Sequence, residues 1–307
     1  MGLPVQTAGP FSLDIKNQRG VIRTNCLHTT ISIGLEHAFR ALHLSDSHIC
    51  LTDARDGERK VRLAESRGAH FDDGVAGRTE RLLNEQLAYA DANDLPILYT
   101  GDFCDFVSMK NLEYMRDTLG KRNCFMAAGN HEYSLYVGEA FEDEAYKMRS
   151  FDLVQSWCGN DLRFASRVMS GVNFVAVDNV YYDFTARQLE LLRTQVARGL
   201  PIVMMMHTPL YTPDLYEFVM KELRQPCAYL AGVPVRCMET YPPDRRIQQE
   251  PTPDTLAFIE YVYQQPLIRA VLAGHLHYDF DTRLPGGIMQ YVTGGGFRDC
   301  AREITFE

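Results

Sequence analysis

Basic excess is the first thing this 307-residue chain lacks. Lys and Arg number 31 against 40 Asp and Glu, a formal net charge of −9, which argues against a nucleic-acid-binding face. No stretch approaches the roughly 18 apolar residues of a membrane span. Residues 1–10 have neither the charged start nor the apolar core of a signal peptide. The expectation is a cytoplasmic chain with no membrane and no nucleic-acid partner. Eight cysteines are spread without zinc-finger spacing, and in a reducing compartment they stay unpaired. Cys104 is expected as a small buried thiol. No internal repeat or low-complexity linker divides the sequence, and 46% hydrophobic with 23% charged residues suffices for a large core.

What the chain does have is a recurring pattern. Five mostly apolar runs of strand length each stop at a cluster of Asp, Asn and His. Residues 39–44 lead to Asp46-Ser47-His48, residues 95–100 to Gly101-Asp102 with Asp105, and residues 124–128 to Gly129-Asn130-His131-Glu132. Residues 201–206 lead to His207, and residues 268–273 to Gly274-His275-Leu276-His277. Such runs are expected of strands buried on both faces, with Arg40, His43 and Arg269 as polar interruptions. A lone Gly-Asp is usually a strand-ending turn. Five of the nine histidines behind apolar runs, in this order, are a stronger signal. In open α/β sheets the functional crevice lies beyond the carboxyl ends of the strands, so all five clusters can meet at one edge on rigid supports.

The rest of the chain reads as layers. Residues 29–35 alternate and suggest an edge strand paired with the first ligand strand. Residues 57–69, 79–92, 185–196 and 255–263 read as helices, the third opening on Thr185 as N-cap. Residues 163–169 with 173–177, and 278–284 with 288–293, read as hairpins. Asp105 is either an exposed N-cap of a helix over 107–119 or a catalytic partner. The least regular stretch, 208–253, carries eight prolines and a short helix near 215–223. A loop this long inside a compact domain is usually functional or disordered. It leaves directly from His207, and is expected as a rim or cap insertion in a single domain over 1–307. Tyr211, Tyr216, Tyr229 and Tyr241 there either contact substrate or pack. Arg55, Arg59, Arg62 and Arg67, on the second rim segment 52–77, are solvated helix charges by default.

The order D-x-H, G-D, G-N-H-[DE], H and G-H-x-H, over about residues 38–296, resembles the calcineurin-like metallophosphoesterase superfamily. The resemblance implies an α/β fold, a four-layer αββα sandwich of two mixed sheets flanked by helices. It implies two divalent or trivalent metal ions, Mn, Fe or Zn. Asp46, His48 and His277 would ligate one ion and Asn130, His207 and His275 the other, with Asp102 bridging. His131 would be catalytic, oriented by Asp105. The residue types suit these roles, since imidazoles and carboxylates bind such ions, and two adjacent metals acidify a bridging water and clamp phosphate oxygens. His131 would assist the leaving group as an acid, with a carboxylate on its other nitrogen fixing the tautomer.

Departures narrow the expected substrate, a small-molecule phosphate ester. The superfamily's Ser/Thr protein phosphatases hold phosphate bidentately with two arginines, where this chain has Phe106 and Ala128. Purple acid phosphatases have a ligand Tyr at Asp105. What remains resembles the bacterial phosphodiesterase-like branch. The alternatives are a phosphomonoesterase or nucleotidase on the same metals, and a non-catalytic metal-binding interaction module.

Overall fold

The computed structural model describes residues 15–17, 20–22 and 25–307. A short antiparallel ribbon, β1 (Ile15–Asn17) with β2 (Gly20–Ile22), precedes the main body. Two mixed sheets follow. The first holds β3 (Asn25–Ile31), β4 (Phe39–Leu44), β5 (Ile97–Tyr99), β6 (Cys124–Met126) and β13 (Cys300–Phe306), in the order β3-β13-β4-β5-β6. The second holds β7 (Phe164–Met169), β8 (Val172–Val177), β9 (Ile202–Met205), β10 (Ile268–Ala273), β11 (Phe280–Arg283) and β12 (Met289–Val292), in the order β11-β12-β10-β9-β8-β7.

The layers follow from the period of two along a strand, which sends neighbouring side chains to opposite faces. Ala41, Leu98, Phe125 and Phe306 of the first sheet meet Phe174, Met205 and Leu272 of the second, forming the core between the sheets. Leu42, Leu44, Ile97 and Tyr99 point the other way, onto α2 (Arg78–Ala92) and α3 (Met109–Leu119). On the far side Val175, Val177, Met204 and Val271 pack on α6 (Ala186–Val196) and α9 (Pro253–Gln264). Helix, sheet, sheet and helix make the four-layer αββα sandwich.

Local chemistry sets the helix starts. Thr185 forms a capping box with Gln188, Thr252 caps α9, and Ser108 caps α3 by accepting from Asn111 N. Asp105 is therefore not the cap of α3; it is fully buried. The polar interruptions also resolve. His43 is buried, with its ring nitrogens 2.8 Å from the hydroxyls of Thr100 and Thr293. Arg40 pairs with Glu303 at 2.8 Å, and Arg269 is exposed.

Two expectations are corrected. The edge strand is residues 25–31, not 29–35, and it pairs in parallel with β13, which lies between it and the first ligand strand, β4. The last described strand takes that inner position, where most of its residues are buried, Ala301, Ile304 and Phe306 among them. Residues 208–253 are also more ordered than an irregular loop. They form α7 (Pro213–Glu217), a π-type turn over Phe218–Glu222, and α8 (Pro243–Gln249). Leu215, Val219, Cys227, Leu230, Met238 and Tyr241 cluster with Leu276 and Val292 in a small core of their own.

Candidate metal centre

Each predicted ligand sits where a strand ends, and at five of the seven the backbone is held in an unusual shape. Asp46, His48, Asp102, His275 and His277 all adopt positive φ between 47° and 70°, a conformation that non-glycine residues seldom take and that collects at functional sites. The loops are laced together to keep it. Asp46 N donates to Gly101 O at 2.9 Å, His48 N to Asp102 O at 3.0 Å, and Gly274 N to His207 O at 3.0 Å. His275 N donates to Asp46 Oδ2 at 2.9 Å, which ties the second sheet to the first. The approach is close enough to require glycine at two points. A Cβ on Gly129 would lie 2.2 Å from Asp102 Oδ1, and one on Gly274 would lie 1.8 Å from Ser45 Oγ.

The donors converge in two nests. In the first, His48 Nε2 lies 2.9 Å from His277 Nε2 and 3.8 Å from Asp46 Oδ1, which is 3.4 Å from His277 Nε2. In the second, His207 Nε2 lies 3.1 Å from both His275 Nδ1 and Asp102 Oδ2. Asp102 Oδ2 is also 3.7 Å from His48 Nε2, so this one oxygen stands between the nests. Oδ1 of the same carboxylate accepts the amide of His131 at 2.9 Å. The far nitrogens of two rings are already occupied. His48 Nδ1 donates to Asp105 Oδ1 at 2.9 Å, and His207 Nδ1 donates to Thr100 O at 2.7 Å. Those bonds leave the lone pairs of both Nε2 atoms pointing inward.

This arrangement fits bound cations. Two pairs of ring nitrogens face each other at hydrogen-bond range, where a cation can take both lone pairs. Among the described residues, Asp46 Oδ1 and Asn130 Oδ1 are buried without a hydrogen-bond partner, an uncommon state for buried oxygens. The same donors form the groups Asp46, His48, Asp102 and His277, and Asp102, His207 and His275, each within 4.8 Å. The mix of imidazoles and carboxylates suits Zn, Mn or Fe. The electrostatics agree for Asp46 and His275, whereas His207, beside the Asp102 charge and hydrogen-bonded to it, is pushed up to about 9 despite its burial. Asp46 is held down at about 2 despite burial, by His277 and His207. Burial lowers His275 to about 3, so its ring is neutral as a ligand must be. His131 is pushed up to about 10, because the Asp102 and Asp105 charges outweigh its burial.

All nine residues singled out by sequence lie in or beside these nests. His131 borders the same cavity as Asp102, Asn130, His275 and His277, a space of about 450 Å³. Asp105 differs from expectation in its partners. His131 Nδ1 donates to the Asp105 backbone carbonyl at 2.7 Å, with the carboxylate at 3.2 Å, and the closest imidazole to that carboxylate is His48. Of the four rim tyrosines only Tyr229 borders the cavity. Cys104 is fully buried in the core outside the first sheet, and all eight cysteines are free thiols.

The contacts of three neighbours of the nests escape a reading of the sequence alone. Glu132 accepts from the amides of Asp102, Phe103 and Gly129 at 2.7, 2.6 and 2.6 Å, pinning two ligand loops together. Its place in the Gly-Asn-His-Glu segment is the available signal. Tyr182 puts its hydroxyl 3.4 Å from His275 Nε2. Arg67 reaches Asp105, which nothing in a helical charge pattern announces.

The family model described as calcineurin-like phosphoesterase matches residues 39–279. No curated protein matches the chain. Among solved structures, a dimetal phosphatase from Danio rerio is 11% identical with a TM-score of 0.47, covering 84% of this chain and 88% of its own. The phosphopantetheinyl hydrolase of Mycobacterium tuberculosis is 11% identical with a TM-score of 0.40, covering 88% and 91%. A 5'-nucleotidase from Candida albicans is 13% identical with a TM-score of 0.42, covering 89% of this chain and 48% of that one.

Proposed function

The chain belongs to the calcineurin-like phosphoesterase family, metal-dependent hydrolases of phosphoric esters, and from that premise we propose that it prefers small-molecule phosphodiesters. The observation that carries metal-dependent ester hydrolysis is the pair of donor nests sharing one oxygen of Asp102 beside His131. Asp46, His48 and His277 would hold one ion, Asn130, His207 and His275 the other, and Asp102 both, the ions being Mn, Fe or Zn. Such a pair supplies Lewis acidity, acidifying water and offsetting phosphate charge.

The protein's own groups do the rest. His131 commits Nδ1 to Asp105, which leaves Nε2 to hold a proton toward the leaving oxygen. Phe106 and Ala128, both fully buried, stand where other branches of the superfamily carry a monoester clamp of two arginines, and this supports the diester preference. The 208–253 segment is read as a cap, because Val219, Tyr229, Arg245 and Gln248 from it wall the cavity. Arg245 and Arg298 border that cavity too, and they favour the second reading, hydrolysis of monoesters. No described helix is long and apolar enough to cross a membrane.

The test is a direct comparison of bis(4-nitrophenyl) phosphate with 4-nitrophenyl phosphate in the presence of Mn. Turnover of the diester is expected to exceed that of the monoester, to collapse with chelator and to return with metal. Activity confined to monoesters would overturn the diester preference and leave the metal centre standing.

A further inference from the structure

The charge pattern over residues 57–69 suggests a surface helix with solvated arginines. α1 (Glu58–Phe71) instead reaches the centre through two side chains one turn apart. Arg67, about a quarter exposed, sets Nε 2.6 Å from Asp105 Oδ2 and Nη2 2.9 Å from Asp105 Oδ1. This is the planar, two-pronged grip that a guanidinium makes and an ammonium cannot. The gripped carboxylate is fully buried, and its Oδ1 also takes His48 Nδ1 at 2.9 Å. His131 Nδ1 lies 3.2 Å from that same oxygen and 2.7 Å from the residue's carbonyl.

Four residues further on, Phe71 lies flat on the His48 ring, with centroids 4.3 Å apart and planes 11° from parallel. The Arg67 guanidinium also lies over the Phe71 ring, 5.0 Å from its centroid. α1 therefore holds His48 twice, by its Nδ1 through Asp105 and by its face through Phe71. Here the carboxylate that Arg67 fixes is already shared with two imidazoles, so any rotation of Asp105 moves both.

We infer that Arg67 is a positioning residue which, through Asp105, sets the aim of His48 at the first metal position and of His131 beside the phosphate. The inference builds on the two-ion reading above and goes beyond it by assigning a control point outside the ligand set. Partners behind a metal ligand typically contribute 10–100-fold to metal affinity or activity. The effect should be one-sided, because His207 and His275 take their orientation from Thr100 and Tyr182 instead.

The experiment uses the full chain with Arg67→Gln and Arg67→Lys, measuring Mn and Zn affinity by chelator competition and turnover across diesters of graded leaving-group pKa. Arg67→Gln is expected to weaken one of the two ions about 10–100-fold while the other stays within about 2-fold, and to steepen the leaving-group dependence. Arg67→Lys, which keeps charge but not the fork, should fall between and guards against a Gln variant that does not fold. Equal weakening of both ions, or wild-type affinities accompanied only by a lower melting temperature, would make Arg67 a structural ion pair and overturn the inference. A wild-type chain that binds fewer than two ions would instead sink the two-ion reading, so the two failures are distinguishable.

Discussion

His131 keeps one ring nitrogen for the protein and one for the cavity, and that division gives a sharp expectation. With Nδ1 2.7 Å from the Asp105 carbonyl, Nε2 is free for the proposed role of proton delivery to the leaving oxygen. His131→Ala should retain both ions yet lower turnover by about 10²–10⁴-fold, the usual span for general acid catalysis. The loss should shrink for good leaving groups such as 4-nitrophenolate. A loss independent of leaving-group pKa, with metal content intact, would reduce the residue to positioning the phosphate. Glu132 offers a second expectation. Burial and the Asp102 charge push its carboxyl up to about 7 against the amides that hold it down, and three of those amides lie within 2.7 Å. Glu132→Gln would turn an NH₂ group toward backbone N–H donors. Urea denaturation should register a loss of roughly 1–3 kcal/mol, the scale of a buried donor left unsatisfied.

At the level of elements, the strands that end in ligands are readable because their apolar runs are short and each is stopped by polar chemistry. β13 is not, since Arg302 and Glu303 interrupt it. The structure explains both. Glu303 accepts from Arg40 and from Tyr89. Arg302 is almost wholly buried, with Nη2 2.7 Å and Nη1 3.2 Å from the Asp281 carboxylate, Nη1 2.7 Å from Thr29 Oγ1, and Nε 3.2 Å from Thr293 Oγ1. One guanidinium thus joins the edge of the first sheet to β11 of the second. Arg302→Ala should lower unfolding free energy by roughly 2–4 kcal/mol, with most of the loss from packing and unmet hydroxyls because Asp281 is half exposed. A change below about 0.5 kcal/mol in urea melts would show that the sheets need no such tie. The 208–253 segment hides its order for a related reason. Proline spacing advertises breaks, whereas Leu215, Leu230 and Met238 find their apolar partners only through tertiary packing.

For the whole molecule, the functional consequence is that two sheets from distant parts of the chain deliver their loops to one edge. Asp46, Asp102 and Asn130 arrive from the first sheet, and His207, His275 and His277 from the second. The candidate ligand set is legible in the sequence because each donor follows its strand within a few residues. The supporting groups, Arg67, Glu132 and Tyr182, are not, because their contacts depend on how helix and loops fold back over the strands. Sharing one Asp102 oxygen between the nests would make that residue the point on which both proposed ions depend, so Asp102→Asn should cost more metal than any single histidine change. The most direct test is elemental analysis of the purified chain after reconstitution with Mn, Zn or Fe, alongside circular dichroism to confirm the fold. Two ions per wild-type chain, falling furthest in Asp102→Asn, is the predicted result; one ion or none in a natively folded wild-type chain would contradict a two-metal centre.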